Sequence, residues 1–263
     1  MVYVNDVLQF LWKLAPKEMK EDWDYVGLMV GCRDQKVEKI LVALDPFYTV
    51  CQEAVDYNAD LLVCHHPLFF GGTKSVTDES EDGRSAMLLI KNQMSCIAMH
   101  TNLDAAPGGV NDCLATRLGL QNIQVLASAG TTPEGEPYGL GRIGMVDTCS
   151  LQDFLASVKM NLGCEGLRYS DCGRLVTKVA VGGGACSGFM ATAAAMGCDT
   201  FITGDCRYNQ FQDAKEMGLN LIDAGHFWTE NVVCDYLVNV LQKQFPEIDV
   251  KMSVKHTDVT KFA

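Results

Sequence analysis

Short apolar runs rich in β-branched residues alternate along the chain with longer segments whose apolar residues recur at helical spacing. The runs are almost continuously apolar, which is typical of strands covered on both faces of a sheet. They predict strands at 39–45, 60–66, 95–101, 141–146, 178–184, 200–205 and 220–226. The other segments predict helices at 46–58, 84–93, 109–119, 150–163, 187–197, 210–218 and 229–246, and the first residues predict an amphipathic helix. This alternation favours an α/β fold, with mainly parallel sheets in three-layer domains.

The composition narrows the class of protein. The chain has 263 residues, 48% of them hydrophobic and 21% charged, which excludes wholesale disorder. Its formal net charge is −12, and it has no cluster of Lys and Arg of the kind that binds nucleic-acid phosphates. An acidic surface also disfavours anionic membranes, and no apolar run reaches the ~20 residues that a membrane span needs. An anionic substrate is compatible with this charge if metal ions supply the positive charge.

The chain has twelve cysteines, which are scattered without a Cys-x-x-Cys pair and lie mostly in apolar runs. A disulfide framework is typical of short secreted chains, so this pattern favours reduced thiols packed as small hydrophobic residues. The chain opens on the predicted helix rather than on basic residues followed by an apolar stretch. We therefore expect a cytoplasmic protein.

Four of the five histidines stand at or near the end of a predicted strand: His65, His66, His100 and His226. Asp104 follows His100 by four residues, and Glu230 follows His226 by four residues. The second spacing puts Glu230 on the same helical face as His226. Ligands of open parallel sheets gather outside the carboxyl ends of the strands, so three strands deliver imidazoles and carboxylates to the same kind of place.

Imidazole nitrogens suit Zn, Fe, Ni or Co, and carboxylates can bridge two cations. The candidate ligands are five: His65, His66, Asp104, His226 and Glu230. An open catalytic zinc typically has three protein ligands, so five suit two ions that share a water and lie ~3.5–4 Å apart. Neighbouring residues of a regular strand face opposite ways, but Pro67 imposes an extended turn after which both histidines can point into one crevice. The alternative for each histidine is a hydrogen-bonded structural residue.

The candidate ligands come from both ends of the chain, which suggests how it divides into domains. Residues 127–141 are rich in Gly and Pro and lack apolar periodicity, so we expect a linker there. We predict one metal-binding α/β domain from residues 1–125 plus 226–263, and a second α/β domain from residues 126–225.

Six segments carry a resemblance to a known family: WDYVGLMVG (23–31), LVALDP (41–46), LLVCHHPLFF (61–70), HTNLDAAPGGVND (100–112), TGD (203–205) and DAGHFWTE (223–230). They are similar to the NIF-three-like family, also called GTP cyclohydrolase 1 type 2 homologues. The resemblance implies a two-domain α/β protein with a dinuclear metal centre, assembled as a homohexameric toroid. It also implies that the five candidate ligands bind the metals and that His100 lies beside them. Tyr25 stands where the family usually has Asn.

The resemblance implies a metal-dependent hydrolase. A hydroxide held by two cations would attack C8 of the guanine of GTP, leading to dihydroneopterin triphosphate. A metal-dependent phosphoesterase fits two metals equally well, and a non-catalytic metal-binding assembly or interaction protein is a third reading. The residues do not distinguish Zn, Fe, Mn and Ni. His100 would act as a general acid or base, or would orient Asp104.

Weaker features complete the expectations. The Gly-rich turn at 179–188 would either hold an anion at a helix start or form a tight strand–helix connection. Asp205 would either face the same cleft or cap a helix. Trp23 and Asp24 are predicted to be packing and turn residues, and His256 is predicted to be exposed.

Overall fold

A computed structural model describes all residues, 1–263. Its strands are β1 (Val2–Tyr3), β2 (Gly27–Val30), β3 (Lys36–Val37), β4 (Lys39–Ala43), β5 (Leu61–Cys64), β6 (Ser95–Ala98), β7 (Gln121–Thr131), β8 (Pro137–Cys149), β9 (Arg168–Ser170), β10 (Val176–Val181), β11 (Thr200–Thr203), β12 (Asn220–Asp223) and β13 (Asp249–Met252). Its α-helices are α1 (Val4–Leu14), α2 (Tyr48–Tyr57), α3 (Glu81–Lys91), α4 (Thr101–Ala105), α5 (Val110–Arg117), α6 (Leu151–Leu162), α7 (Met190–Ala195), α8 (Tyr208–Glu216), α9 (His226–Glu230) and α10 (Val232–Gln244). None of these helices has the length and apolar character that crossing a lipid bilayer requires.

The chain divides into two compact units. The first comprises Met1–Ala106 and Cys234–Thr257, and the second comprises Pro107–Val233 and Asp258–Ala263. The boundaries between these units differ from the predicted domain boundaries near residues 125 and 225. The predicted domain assignment stays a prediction.

The first unit contains a five-stranded sheet in the order β13-β4-β5-β6-β2. The neighbours β13, β4, β5 and β6 are parallel, and β2 is antiparallel to β6. Every residue of β5 and β6 is buried. Leu41 and Leu62 pack with apolar residues of α2 and α3, and the alternate residues Ile40 and Val63 are also buried. This two-sided burial explains why these strands read as continuous apolar runs.

The second unit contains a six-stranded sheet in the order β7-β8-β10-β11-β12-β9. Strands β10, β11 and β12 are parallel, and the flanking pairs are antiparallel. Alternate residues of the central strands serve different cores. Val179 and Ile202 pack with apolar residues of α5 and α6, whereas Ala180 and Phe201 pack with residues of α7 and α8. Helices therefore cover both faces, as predicted for a three-layer α/β fold.

Side chains and glycines fix the ends of several helices. The Ser80 hydroxyl accepts a hydrogen bond from the Gly83 amide at 3.1 Å and begins α3, and the Ser150 hydroxyl does the same for the Asp153 amide at 3.2 Å before α6. Gly163 ends α6 in the left-handed region, at a φ of +76°.

All seven predicted strands are present, most of them shortened at their carboxyl ends. The linker predicted at 127–141 is wrong, because these residues form the end of β7, the turn and the start of β8 in a long antiparallel hairpin. Their glycines serve the hairpin: a Cβ at Gly139 would stand 2.1 Å from the Ala127 carbonyl oxygen of the opposite strand.

Candidate metal centre

His65 and His66 follow β5 directly, at its carboxyl end. His65 is completely buried, and its Nδ1 lies 2.8 Å from the backbone carbonyl oxygen of Met99. A carbonyl oxygen only accepts, so Nδ1 of His65 carries a hydrogen, and in the neutral ring Nε2 then carries the lone pair. Metal-binding histidines are commonly held in this way through the ring nitrogen that does not face the metal.

A carboxylate holds His66 through the same ring nitrogen. Nδ1 of His66 lies 2.6 Å from Oδ1 of Asp45, and both side chains are largely buried. Asp45 stands two residues beyond β4, which is the parallel neighbour of β5. The Asp45 carboxylate accepts the Nδ1 hydrogen and thereby fixes the ring.

His100 is paired with a buried aspartate. Its Nδ1 lies 3.0 Å from Oδ1 of Asp24, which also accepts hydrogen bonds from the amides of Tyr25 and Thr101 and from the Thr101 hydroxyl. Burial raises the pKa of Asp24, but the hydrogen bonds from His100 and Thr101 outweigh it and hold the pKa below its usual range. Asp24 is therefore more than the turn residue that the sequence predicted.

The three imidazoles of the first unit form one cluster. The ring centroids of His65 and His66 are 4.9 Å apart, and those of His100 are 5.3 Å and 5.5 Å from them. Each ring offers a nitrogen, and the three nitrogens lie within 4.8 Å of one another. Nε2 of His65 is also 3.6 Å from Oδ1 of Asp104. The predicted residues of this unit thus come together at the carboxyl ends of β5 and β6.

The second unit brings its own pair of predicted residues together. Nε2 of His226 lies 2.9 Å from Oε2 of Glu230, one turn later in α9, as the four-residue spacing predicted. Nδ1 of His226 lies 2.7 Å from Oδ2 of Asp205. Asp205 stands two residues beyond β11, in the left-handed region at a φ of +55°. It does not cap α8, whose N-cap residue is Arg207.

A glycine-rich turn leaves room beside this pair. A Cβ at Gly184 would stand 2.0 Å from Oε1 of Glu230 and 3.1 Å from Nε2 of His226. The amides of Gly183 and Gly184 donate to the side chains of Asn111 and Thr229 at 2.9 Å each. These two amides already have acceptors, which favours the tight strand–helix connection in this part of the turn.

The donor set fits divalent cations of borderline softness. It consists of imidazoles held through Nδ1 and of carboxylates, with no thiolate among them. The absence of a side chain at Gly184 leaves the space next to one carboxylate and one imidazole free of a Cβ. The residues present therefore fit a metal, and each unit supplies part of the predicted set.

Sequence reasoning missed the groups that hold the rings. Asp45 and the Met99 carbonyl were not singled out, although both lie just beyond a parallel strand next to the one that carries the histidine. Their location at or near the end of a predicted strand was the signal by which the sequence could have identified them. His256, predicted to be exposed, is buried, because its segment folds back on Ser253, whose hydroxyl accepts from the His256 amide at 3.1 Å.

Fold and geometry define a class: α/β proteins of two units in which anchored histidines and carboxylates at strand ends could bind a metal. The model of the Duf34/NIF3 family (NGG1p interacting factor 3) matches residues 2–261. The chain belongs to this family, which confirms the resemblance carried by the sequence motifs.

Individual relatives agree with this assignment. A GTP cyclohydrolase 1 type 2 homologue of Clostridium perfringens is 36% identical over 248 residues, which cover 94% of this chain and 92% of the relative. One of Streptomyces coelicolor is 37% identical over 240 residues, covering 89% and 84%. Among solved structures, a Staphylococcus aureus hypothetical protein superposes with a TM-score of 0.93 at 30% identity, covering 99% of each chain. A Bacillus cereus protein related to NIF3 gives a TM-score of 0.93 at 25% identity, covering 100% and 99%.

Proposed function

We propose that this protein is a dinuclear metal-dependent hydrolase that acts on a nucleotide. The proposed ligands of the two cations are His65, His66, Asp104, His226 and Glu230. One observation carries the proposal: three of these imidazoles are each held at Nδ1 by an acceptor, at distances between 2.6 and 2.8 Å. A structural histidine needs no such uniform presentation of Nε2, whereas a metal ligand does.

The charge of the ligand set favours an anionic substrate. Three neutral imidazoles and two carboxylates would leave two divalent cations with a net charge of about +2. When bound, such ions lower the pKa of water and attract anions to the site. They would supply the positive charge that the chain itself lacks, with its formal net charge of −12.

His100 is the residue that we assign to proton transfer. Its Nδ1 faces the ionised Asp24, which favours the tautomer with the hydrogen on Nδ1 and leaves Nε2 to exchange the proton. The carboxylate that faces Nδ1 of His100 is that of Asp24, at 3.0 Å, and this contact supports the acid–base role. Asp24 is a positioning residue that acts through His100.

The relatives that carry the name GTP cyclohydrolase 1 type 2 homologue point to GTP as the first substrate to test. Opening of the guanine ring at C8 consumes water and releases formate. Cleavage of a phosphate ester would instead release phosphate without formate. The two products separate cyclohydrolase from phosphoesterase chemistry.

The test compares metal-loaded protein with protein stripped by a chelator, each incubated with GTP. We expect formate and a neopterin product only with metal, and their loss in His100→Ala. His226→Ala and Asp104→Ala should lower the bound metal without unfolding the chain, because both residues lie in short helices that follow a strand and neither belongs to a hydrophobic core. Wild-type metal stoichiometry in these two variants would refute the ligand assignment. Full metal binding without turnover of GTP or of bis(p-nitrophenyl) phosphate would favour a non-catalytic metal-binding protein.

We extend the proposal to assembly. The family resemblance implies a toroidal homohexamer, and sedimentation velocity of the purified chain tests it. A single monomeric boundary at micromolar concentration would exclude the hexamer.

A further inference from the structure

Two large aromatic side chains lie next to each other on the surface of the first unit. Trp23 is 57% exposed and Phe70 is 71% exposed. Their ring centroids are 5.8 Å apart and their planes are tilted by 37°. Exposed aromatic rings that form a contiguous surface are unusual unless something binds there. We call Trp23 and Phe70 the aromatic platform.

The aromatic platform is continuous with the imidazole cluster. The ring of His100 lies 5.9 Å from that of Trp23 and 5.7 Å from that of Phe70, measured between centroids. Both contacts are edge-on, with interplanar angles of 77° and 70°. A molecule stacked on the platform would therefore lie beside the residue to which we assign proton transfer.

The backbone that carries Trp23 is held firmly before any ligand arrives. Its neighbour Asp24 is buried, accepts three hydrogen bonds from Tyr25 and Thr101, and lies 3.0 Å from Nδ1 of His100. The Glu21 amide donates to the Thr101 hydroxyl at 3.0 Å on the other side. Because the backbone is already fixed, a flat ligand has to order only the side-chain torsions of Trp23.

We propose that the aromatic platform stacks the base of a purine nucleotide, and this inference rests on the proposed hydrolase function. The acidic partners of the cluster, Asp24, Asp45 and Asp104, cannot attract a nucleotide by charge. Neutral aromatic faces can bind its base, because every base has a π face. Stacking does not distinguish guanine from adenine strongly, so ATP should bind the platform about as well as GTP.

Calorimetric titration of the metal-loaded protein with GTP, ATP and inorganic tripolyphosphate tests the inference. Stacking on an aromatic side chain contributes ~1–3 kcal/mol per base, which corresponds to a loss of roughly five- to 150-fold in affinity on truncation to alanine. We expect such a loss for both nucleotides in Trp23→Ala and in Phe70→Ala. Tripolyphosphate, which has no base, should change by less than about two-fold.

Three controls separate stacking from damage to the site. Trp23→Phe keeps an aromatic face and should restore most of the nucleotide affinity. Tyr208→Ala removes a ring that is 79% exposed elsewhere on the chain and should change nothing. All variants should bind as much metal as the unmodified chain, since neither ring is a proposed ligand.

Several results would overturn the inference. Equal losses for GTP and tripolyphosphate would mean that the rings act on the phosphates or on the metals. Unchanged nucleotide affinity together with a smaller assembly in Trp23→Ala would make the platform a contact between copies of the chain. Turnover of GTP with an unchanged KM in both alanine variants would support the hydrolase function and refute stacking on the platform. Base-dependent binding without any hydrolysis would support stacking and refute the hydrolase function.

Discussion

The aspartates that hold the histidine rings should set the metal affinity without touching the metal. The sharpest perturbation is Asp→Asn at two of them, Asp45 and Asp205. Asparagine keeps an oxygen that accepts the Nδ1 hydrogen, so the ring orientation is preserved while the negative charge is lost. At Asp205 this choice also matters for the backbone, because its φ of +55° is tolerated by Asn and strained for Ala.

The structure predicts different magnitudes for the two positions. Loss of a carboxylate that supports a ligating histidine typically costs 10–100-fold in metal affinity. The side chain of Asp45 is 20% exposed and lies 2.6 Å from His66, so we expect the larger effect there, roughly 30- to 100-fold. The side chain of Asp205 is 57% exposed, so water screens its pair with His226 and the loss should be about tenfold or less.

Competition titration with a chromophoric chelator measures both affinities on the same scale. Thermal unfolding of the metal-free variants serves as the control, because a ring-orienting role should leave the stability of the metal-free chain nearly unchanged. Affinities equal to that of the unmodified chain would refute the reasoning. A larger loss at Asp205 than at Asp45 would show that burial does not determine the strength of these pairs.

Three further predictions concern other residues. Burial lowers the pKa of His256 below 6.5, so the unfolded chain binds the proton more readily than the folded chain does. The quantity to follow is the unfolding free energy of the wild type minus that of His256→Gln. This difference should be constant above pH 6.5 and should fall as the pH drops through the pKa of His256 in the folded chain. Parallel pH curves would contradict this. Iodoacetamide should label the exposed Cys32 first under native conditions, whereas burial raises the pKa of Cys51 to about 12 and should leave it unlabelled by mass spectrometry until the chain unfolds. Gly184→Ala places a Cβ against the Glu230 carboxylate, in a backbone conformation that disfavours alanine, so it should lower both the metal stoichiometry and the melting temperature. Gly197 also has a positive φ but has open space around it, so Gly197→Ala should lower only the melting temperature.

The fold was predictable where burial was two-sided. Strands β5 and β6 read as uninterrupted apolar runs because both of their faces are covered. Strand β9, Arg168–Ser170, could not be found in the same way, since it is a short and largely exposed edge strand. The hairpin of β7 and β8 was mistaken for a linker because β7 is mostly exposed and its glycines resemble those of a loop. Local composition does not distinguish an exposed hairpin from a linker when pairing comes from the opposite strand.

The histidines of the candidate site were predictable for a different reason. Ligands of open parallel sheets gather outside the carboxyl ends of the strands, and three buried parallel strands are each followed closely by histidine. The residues that hold the rings were harder to find, because an aspartate near a strand end is also a common capping and turn residue. Asp205 is predicted from the sequence to face the cleft or to cap a helix, whereas only the pairing of β4 with β5 selects Asp45 from the other acidic residues.

Both units in fact use the same arrangement. An aspartate two residues beyond one parallel strand holds the histidine that follows the neighbouring strand, as Asp45 holds His66 and Asp205 holds His226. Parallel neighbours lie ~4.8 Å apart, which a carboxylate and an imidazole span with one hydrogen bond. The arrangement also answers the objection that adjacent histidines face opposite ways. His66 is held from the β4 side by Asp45, and His65 is held from the β6 side by the Met99 carbonyl. The two rings are held at Nδ1 from the two strands that flank β5. Each of the two consecutive histidines can therefore present its Nε2 to one cluster.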